Sequence, residues 1–483
     1  MSEPVSMIEA PVMSTLRSAR RALAALAVGC LAACTVGPDF RGAPAAAPVA
    51  AKAAAFHRAP GNVSADSPSA APWWSTLGDP TLTALIESAL AHSPSVEAAE
   101  ARLRASRASL REQKSDALPK VGGSVSYFNA ELPKSALGVG DLNLYNLGFD
   151  ATWEIDLFGG TRRAVQAASA QSIAVEADLA DARVQLAAEV AQAYVDLRDR
   201  ESRQDLARRS AELEGRILDL TEQRRAGGVA SDLDVERIRT QVENTRASII
   251  PLDEQIAESL DQLAVLTGRE PGSLDAELHA PQPLPTLPAS VSVGDPASMM
   301  RRRPDIRAAE FRLASQTAQI GEREADWFPK LSLLGDLGFT ATSPGGLVRS
   351  GNFLALGVPY LQWNALDFGR TRARVKEAQA GRDEAEANYR QTVLEALRDA
   401  DGSLSRYGHQ RDYVAKLMSV ESSATKASTL TEMRYRAGTS SALDWLDAER
   451  TRFSSEQDRV AGEAELIKDF VALQKSLGLG WQS

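Results

Sequence analysis

The chain has 483 residues and a formal net charge of −10, with 24% charged and 44% hydrophobic residues. That balance excludes wholesale disorder, and four histidines with two cysteines leave little material for metal chemistry or a disulfide framework. No run of 18 or more apolar residues occurs, so a membrane-spanning helix is not expected.

In chain order, the first feature is an address. Arg17, Arg20 and Arg21 precede the apolar run from Ala22 to Ala33, which reads as a secretory signal too short to cross a bilayer. The run ends Leu31-Ala32-Ala33-Cys34, which resembles a bacterial lipobox. The expected outcome is cleavage after residue 33 and lipidation of Cys34, with multiple acyl chains giving a stable anchor. Thr35 follows rather than an inner-membrane retention aspartate, so the outer membrane is the expected destination. Removing residues 1–33, with Glu3 and Glu9 against three arginines, takes the net charge from −10 to −11 and leaves one cysteine.

Beyond a lipidated segment, 34–75, the chain repeats itself at an offset of 210. Ser93-Pro94-Ser95-Val96-Glu97-Ala98-Ala99-Glu100 answers Arg303-Pro304-Asp305-Ile306-Arg307-Ala308-Ala309-Glu310. Leu118-Pro119-Lys120 answers Phe328-Pro329-Lys330, and Phe158-Gly159-Gly160 answers Phe368-Gly369-Arg370. Arg225-Ala226-Gly227 answers Arg436-Ala437-Gly438 with a slip of one residue. Two structural repeats are therefore expected, at 76–270 and 296–483, joined by a proline-rich linker at 271–295.

Each repeat has one grammar. A helix comes first, near 76–117 and 296–326. A β-hairpin follows, at 118–158 and 327–368, then a long helical hairpin, at 160–267 and 370–478. Leu147, Phe149, Ala151, Trp153, Ile155 and Leu157 alternate with polar or small residues, as do Leu331, Leu333, Leu337, Phe339 and Ala341. Period-two runs of about 10 residues suit membrane β-strands. The two hairpin segments hold 13 of the 27 aromatics, as an interfacial girdle requires. The fourth strand is weak, because Pro359 interrupts it. In the helical stretches Leu179, Leu186, Val190, Ala193 and Leu197, then Leu206, Leu213, Ile217 and Leu220, recur at helical steps and predict a coiled-coil-like seam. A helix over 167–226 has roughly 60 residues, or about 90 Å. The fold class is thus mainly α with a membrane β-barrel portion. Four strands per chain cannot close a barrel, and an open edge cannot face lipid, so several chains must share one. Two copies give eight strands and three give twelve.

Arg302-Arg303-Pro304-Asp305-Ile306-Arg307-Ala308-Ala309-Glu310, Leu266-Thr267-Gly268-Arg269, Asp367-Phe368-Gly369-Arg370 and Cys34-Thr35-Val36-Gly37-Pro38-Asp39-Phe40 together resemble the outer-membrane factors of the TolC superfamily, nearest the OprM/NodT-type efflux lipoproteins. The resemblance covers essentially the whole mature chain. It implies a homotrimer with a shared twelve-stranded barrel and a long α-helical tunnel reaching into the periplasm. It also implies a periplasmic adaptor and an inner-membrane transporter, usually of the resistance-nodulation-division class, with this chain as the passive exit duct for drugs or other small molecules.

Two glycine breaks interrupt the long helices. Gly227, Gly228, Val229 and Ala230, with Gly438, Thr439 and Ser440, are helical hairpin turns, and the resemblance implies that they form the tip meeting the adaptor. Asp444 and Asp447 lie three apart on one helix face, so a trimer would repeat them as rings of carboxylates able to select cations. By resemblance they match an acidic ring at a closed periplasmic aperture, and Tyr435 matches an aromatic of that gate. Ser440 stands where some family members carry arginine. His57, His92, His279 and His409 are isolated, and neither a metal-binding pair nor a P-loop is present, so no enzyme, cofactor or metal is expected. The acidic charge argues against nucleic acid. The alternatives are a duct for protein secretion and a structural coiled-coil lipoprotein without a pore.

Overall fold

The computed structural model describes residues 35–61, 63–68, 72–131 and 141–481. Cys34 and the signal segment lie outside these residues. The chain divides into two compact units, one holding 103–175 and 309–389 with the first described residues to Pro44, the other holding 45–102, 176–308 and 390–483.

β1 (Val63–Ser64) precedes the first repeat, which holds α1 (Pro80–His92), α2 (Pro94–Ser115), β2 (Lys120–Glu131), β3 (Asp141–Ile155), α3 (Gly160–Ala226) and α4 (Asp232–Leu266). A short α5 (Asp275–Leu278) and β4 (Val291–Ser292) lie in the connecting stretch. The second repeat follows with α6 (Pro296–Arg302), α7 (Pro304–Ala325), β5 (Lys330–Ala341), β6 (Phe353–Gln362), α8 (Arg370–Arg436) and α9 (Ala442–Ser476). The bounds of α2, β2, α3 and α4 all recur 210 residues on. The one-residue slip read between Gly227 and Gly438 is therefore absent: the left-handed glycine of the first turn is Gly228, which matches Gly438 without a gap.

The first helix of each repeat is not continuous. It breaks at Ser93 and again at Arg303, both extended with ψ of 129° and 125°. Each precedes a proline, whose ring disfavours helical geometry in the residue before it while suiting the first helical position after it.

In the first unit, β2, β3, β5 and β6 form one antiparallel sheet in that order. The register puts Val121, Val125, Leu147, Phe149, Leu333 and Leu337 on one face and Ser124, Ser126, Asn146, Asp150, Glu154 and Asp336 on the other. The apolar face is exposed. β6 runs through Pro359, which pairs with Leu333, so the interruption expected there does not occur. The proline removes a single ladder N–H, and the residues around it keep their register with β5. The alternation of β6 is indeed lost, with Leu354, Leu356, Val358 and Tyr360 on the face that is polar in β3.

The second unit is helical. Leu179, Leu186, Val190, Ala193 and Leu197 of α3 are buried as the seam requires, whereas Leu220 is exposed and Thr221 is buried in its place. Trp73 and Trp74 are buried edge-to-face, with Trp73 against Phe470. Asp79 caps α1 by accepting from the Leu82 N–H and also accepts from the Tyr194 hydroxyl at 2.8 Å. The fully buried Arg198 is neutralised by Glu201 at 2.7 Å and lies over the Tyr194 ring.

Candidate functional site: the helical turns, the sheet and the N-terminal strap

The turn after α3 ends the helix by a Schellman pair: Val229 N–H donates to Arg224 O at 2.8 Å and Gly228 N–H to Arg225 O at 2.9 Å. Gly228 takes φ of 77°, which only glycine adopts without cost. The turn after α8 repeats this, with Thr439 N–H on Arg434 O and Gly438 N–H on Tyr435 O, both at 3.0 Å, and φ of 75° at Gly438. Ser231 and Ser441 then open α4 and α9 through reciprocal capping boxes with Asp234 and Asp444. Gly227, Val229, Gly438 and Thr439 are exposed, as is Gly228.

Asp444 thus has a local duty. Its carboxylate accepts from the Ser441 N–H and the Ser440 hydroxyl, both at 2.9 Å. The Ser441 backbone bond above all, then the two serine hydroxyls, hold its pKa below the usual carboxylate value, so it stays ionised. Asp447 is exposed and pairs with Arg450 at 2.9 Å. Both aspartates line a groove of about 710 Å³ together with Arg237, Arg434 and Arg450. The acidic pair therefore sits among cations within its own chain.

Tyr435 is elsewhere. It is 4% exposed and packs in a cluster with Ile217, Ile238, Val242, Trp445 and Leu446. Its ring lies 5.2 Å from Trp445 and beneath the Arg224 guanidinium at 4.2 Å. The structure brings Asp444 and Asp447 to one groove and buries Tyr435 in the apolar cluster instead.

Two groupings were not found from sequence. The first is the N-terminal strap. Arg163 donates to Val36 O and Gly37 O, each at 2.9 Å, and pairs with Asp39 at 2.9 Å. Val36 N–H donates to Phe158 O at 3.0 Å, where β3 gives way to α3. A Cβ on Gly37 would come within 2.2 Å of Gly321 Cα, so only glycine lets the strap seat so closely. The residue after Cys34 is thereby held at the end of the sheet. Arg163 could have been singled out as the one arginine of Arg162-Arg163 without a counterpart, since the second repeat has Ala373 there.

The second is Glu214, 2% exposed on α3, whose donors among the described residues are neutral, Gln241 at 3.3 Å and Ser210 at 3.4 Å among them, and whose Oε2 has no partner there. Burial pushes its pKa up. The buried Glu449 on α9, by contrast, has Arg452 at 2.8 Å and the Ser428 hydroxyl at 2.6 Å.

With this geometry in hand, comparison with known proteins is informative. The family described as outer membrane efflux protein matches residues 85–269 and 296–479, once per repeat. The chain is 31% identical over 414 residues to outer membrane protein OprJ of Pseudomonas aeruginosa, covering 85% of this chain and 86% of that protein. It is 29% identical over 409 residues to the solvent efflux pump outer membrane protein SrpC of Pseudomonas putida, covering 83% and 86%. Among solved structures, the outer-membrane channel OprN superposes with a TM-score of 0.86 at 36% identity, covering 93% of this chain and 100% of that one.

Proposed function

The chain belongs to the outer membrane efflux protein family, and from that premise we propose that three copies of it form the passive exit duct of a tripartite pump. It is an outer-membrane efflux channel protein. The finer reading is a homotrimer, anchored through acylated Cys34 and working with a periplasmic adaptor and an inner-membrane transporter of the resistance-nodulation-division class. The duct carries drugs or other small molecules and supplies no energy of its own.

The observation that carries this reading is the sheet. Four strands expose an apolar face, and both edges, β2 and β6, are unpaired among the described residues. Unsatisfied edge N–H and C=O groups are costly in hydrocarbon, and three copies supply twelve strands, enough to close. The strap held by Arg163 supports the anchor, because it seats Val36, two residues after Cys34 in the sequence, at the end of the sheet. Domain limits follow the repeat: signal 1–33, strap and linker 34–75, repeats 76–270 and 296–483, with 271–295 between.

The turns at Gly227–Ala230 and Gly438–Ser440 supply the adaptor-contacting tip. Asp444 and Asp447 supply the acidic gate, and the cap bonds that keep Asp444 ionised support that role. Tyr435 acts from behind them, as the buried ring that fixes where α8 and α9 meet. The test is the mass of the purified detergent complex together with export in a deletion strain. Three copies and lost export are expected; a monomer in detergent with export unchanged by deletion refutes the reading.

A further inference from the structure

The internal duplication can be used to locate an interface that the isolated chain leaves open. Contacts inside each repeat obey the 210 shift. Trp153 Nε1 donates to Ala117 O at 3.0 Å, and Trp363 Nε1 donates to Trp327 O at the same distance. Lys120 pairs with Asp116 at 2.8 Å, and Lys330 with Asp326 at 3.2 Å.

Two contacts from the first repeat to the second do not recur among the described residues. Phe158 stacks on Phe328 with centroids 4.5 Å apart and planes at 17°. Shifted by the repeat, the partners are Phe368 and Leu118, and these do not pack together: Phe368 is 101% exposed and Leu118 is 63% exposed. Phe368 also holds φ of 53°, alone among the described non-glycine residues in the left-handed region. Likewise β3 pairs with β5, while their equivalents, β6 and β2, are the two free edges among the described residues. Each half-contact missing from one end of the first unit is presented at the other.

We propose that a second copy of this chain completes these contacts in a register transposed from β3–β5. Thr152 opposite Leu334 becomes Gln362 opposite Ser124 of the next copy. Asp150 opposite Asp336 becomes Tyr360 opposite Ser126, and Gly148 opposite Gly338 becomes Val358 opposite Phe128. Phe368 packs on the next copy's Leu118. The transposed register keeps like faces together: Leu361 meets Val125 and Pro359 meets Tyr127 on the apolar face. It also gives the apolar departures of β6 a partner, because Val358 meets Phe128 on the face that is polar elsewhere. The strands run antiparallel, as β3 and β5 do, and the contact is head-to-tail, so it propagates around a ring. The interface rests on the trimeric reading above; the register and the Phe368 contact go beyond it.

The test is cysteine pairing in the full-length protein in outer-membrane vesicles. Directly opposed residues lie about 4.5–5.5 Å apart at Cα, within disulfide reach, whereas a two-residue slip lies at about 7–8 Å. Ser126→Cys with Tyr360→Cys is expected to oxidise to covalent trimers. Ser124→Cys or Phe128→Cys with Tyr360→Cys is expected to give at least fivefold less. Each single variant, carrying native Cys34, serves as background. Leu118→Cys with Phe368→Cys, bridged by a short bifunctional maleimide, reports on the second contact outside the sheet. Strongest coupling in a slipped pair overturns the register. No coupling in any pair while the detergent mass is three copies overturns the edge pairing. A single-copy mass overturns the trimeric reading, and the interface with it.

Discussion

Replacing Arg163 with methionine isolates the strap. The arginine side chain is 5% exposed, and its stem fills space that methionine also fills. What is lost is polar. Two charge-assisted bonds run to Val36 O and Gly37 O at 2.9 Å, at about 1.5 kcal/mol each. The third partner, Asp39, is 71% exposed, so its ion pair is discounted for solvent screening. The substitution therefore costs the seated strap about 3 kcal/mol, which is roughly a hundredfold in its opening equilibrium. Hydrogen exchange at the Val36 amide reads this directly, because that N–H is bonded to Phe158 O only when the strap is seated. Exchange at Val36 should accelerate by about two orders of magnitude, while Val190 in the core of α3 should stay protected. Val36 protection within twofold of wild type would refute the clamp.

Four further outcomes follow from the same geometry. Glu214→Gln should stabilise the protein at pH 8 by about 1–3 kcal/mol and leave it nearly unchanged at pH 4. Burial raises the folded-state pKa above the unfolded value of 4.5, so the cost is absent below that value and grows as pH rises through the folded one; thermal unfolding at the two pH values checks it. Tyr435→Ala should cost about 3–5 kcal/mol, by loss of a buried ring and its Arg224 and Trp445 contacts, while Tyr435→Phe should cost far less; denaturant midpoints distinguish the two. Asp444→Ala with Asp447→Ala should weaken divalent-cation block of conductance, and unchanged block would remove these residues from the aperture. Cys34→Ala should abolish fatty-acid labelling, whereas persistent labelling would contradict the lipobox.

Much of the architecture was legible because it repeats. Period-two stretches such as Leu147 to Ile155, proline-free helical stretches and the 210-residue offset are all carried by local pattern, and local pattern survives in these strands and helices. The misreadings have tertiary causes. Pro359 speaks against a strand locally, but it removes one ladder N–H only, and the register of its neighbours with β5 carries β6 through it. Pro94 and Pro304 end a helical segment and begin another, which a composition window averages away. Leu220 lies a three-residue step after Ile217, whereas the seam takes the four-residue step to Thr221, because a straight helix drifts relative to its neighbours. The slip at the turns arose from matching identical glycines, whereas backbone geometry selects Gly228 for its positive φ.

The candidate gate was legible only in part. Asp444 and Asp447 share a face, as their spacing requires. Their surroundings come from other helices, with Arg237 on α4 and Arg434 on α8, and spacing within one helix is silent about those. The same holds for Tyr435, whose burial depends on Ile217 and Ile238 of the other helical hairpin. Arg163 reaches back more than a hundred residues to the strap, a contact that no periodicity announces.

Reconstitution of the purified full-length protein into a planar bilayer tests the central claim most directly. Discrete, uniform conductance steps, cation-selective and reduced by divalent cations on the side carrying the helical turns, are expected of the channel. Protein that inserts as a stable oligomer yet yields no conductance under any polarity would contradict it.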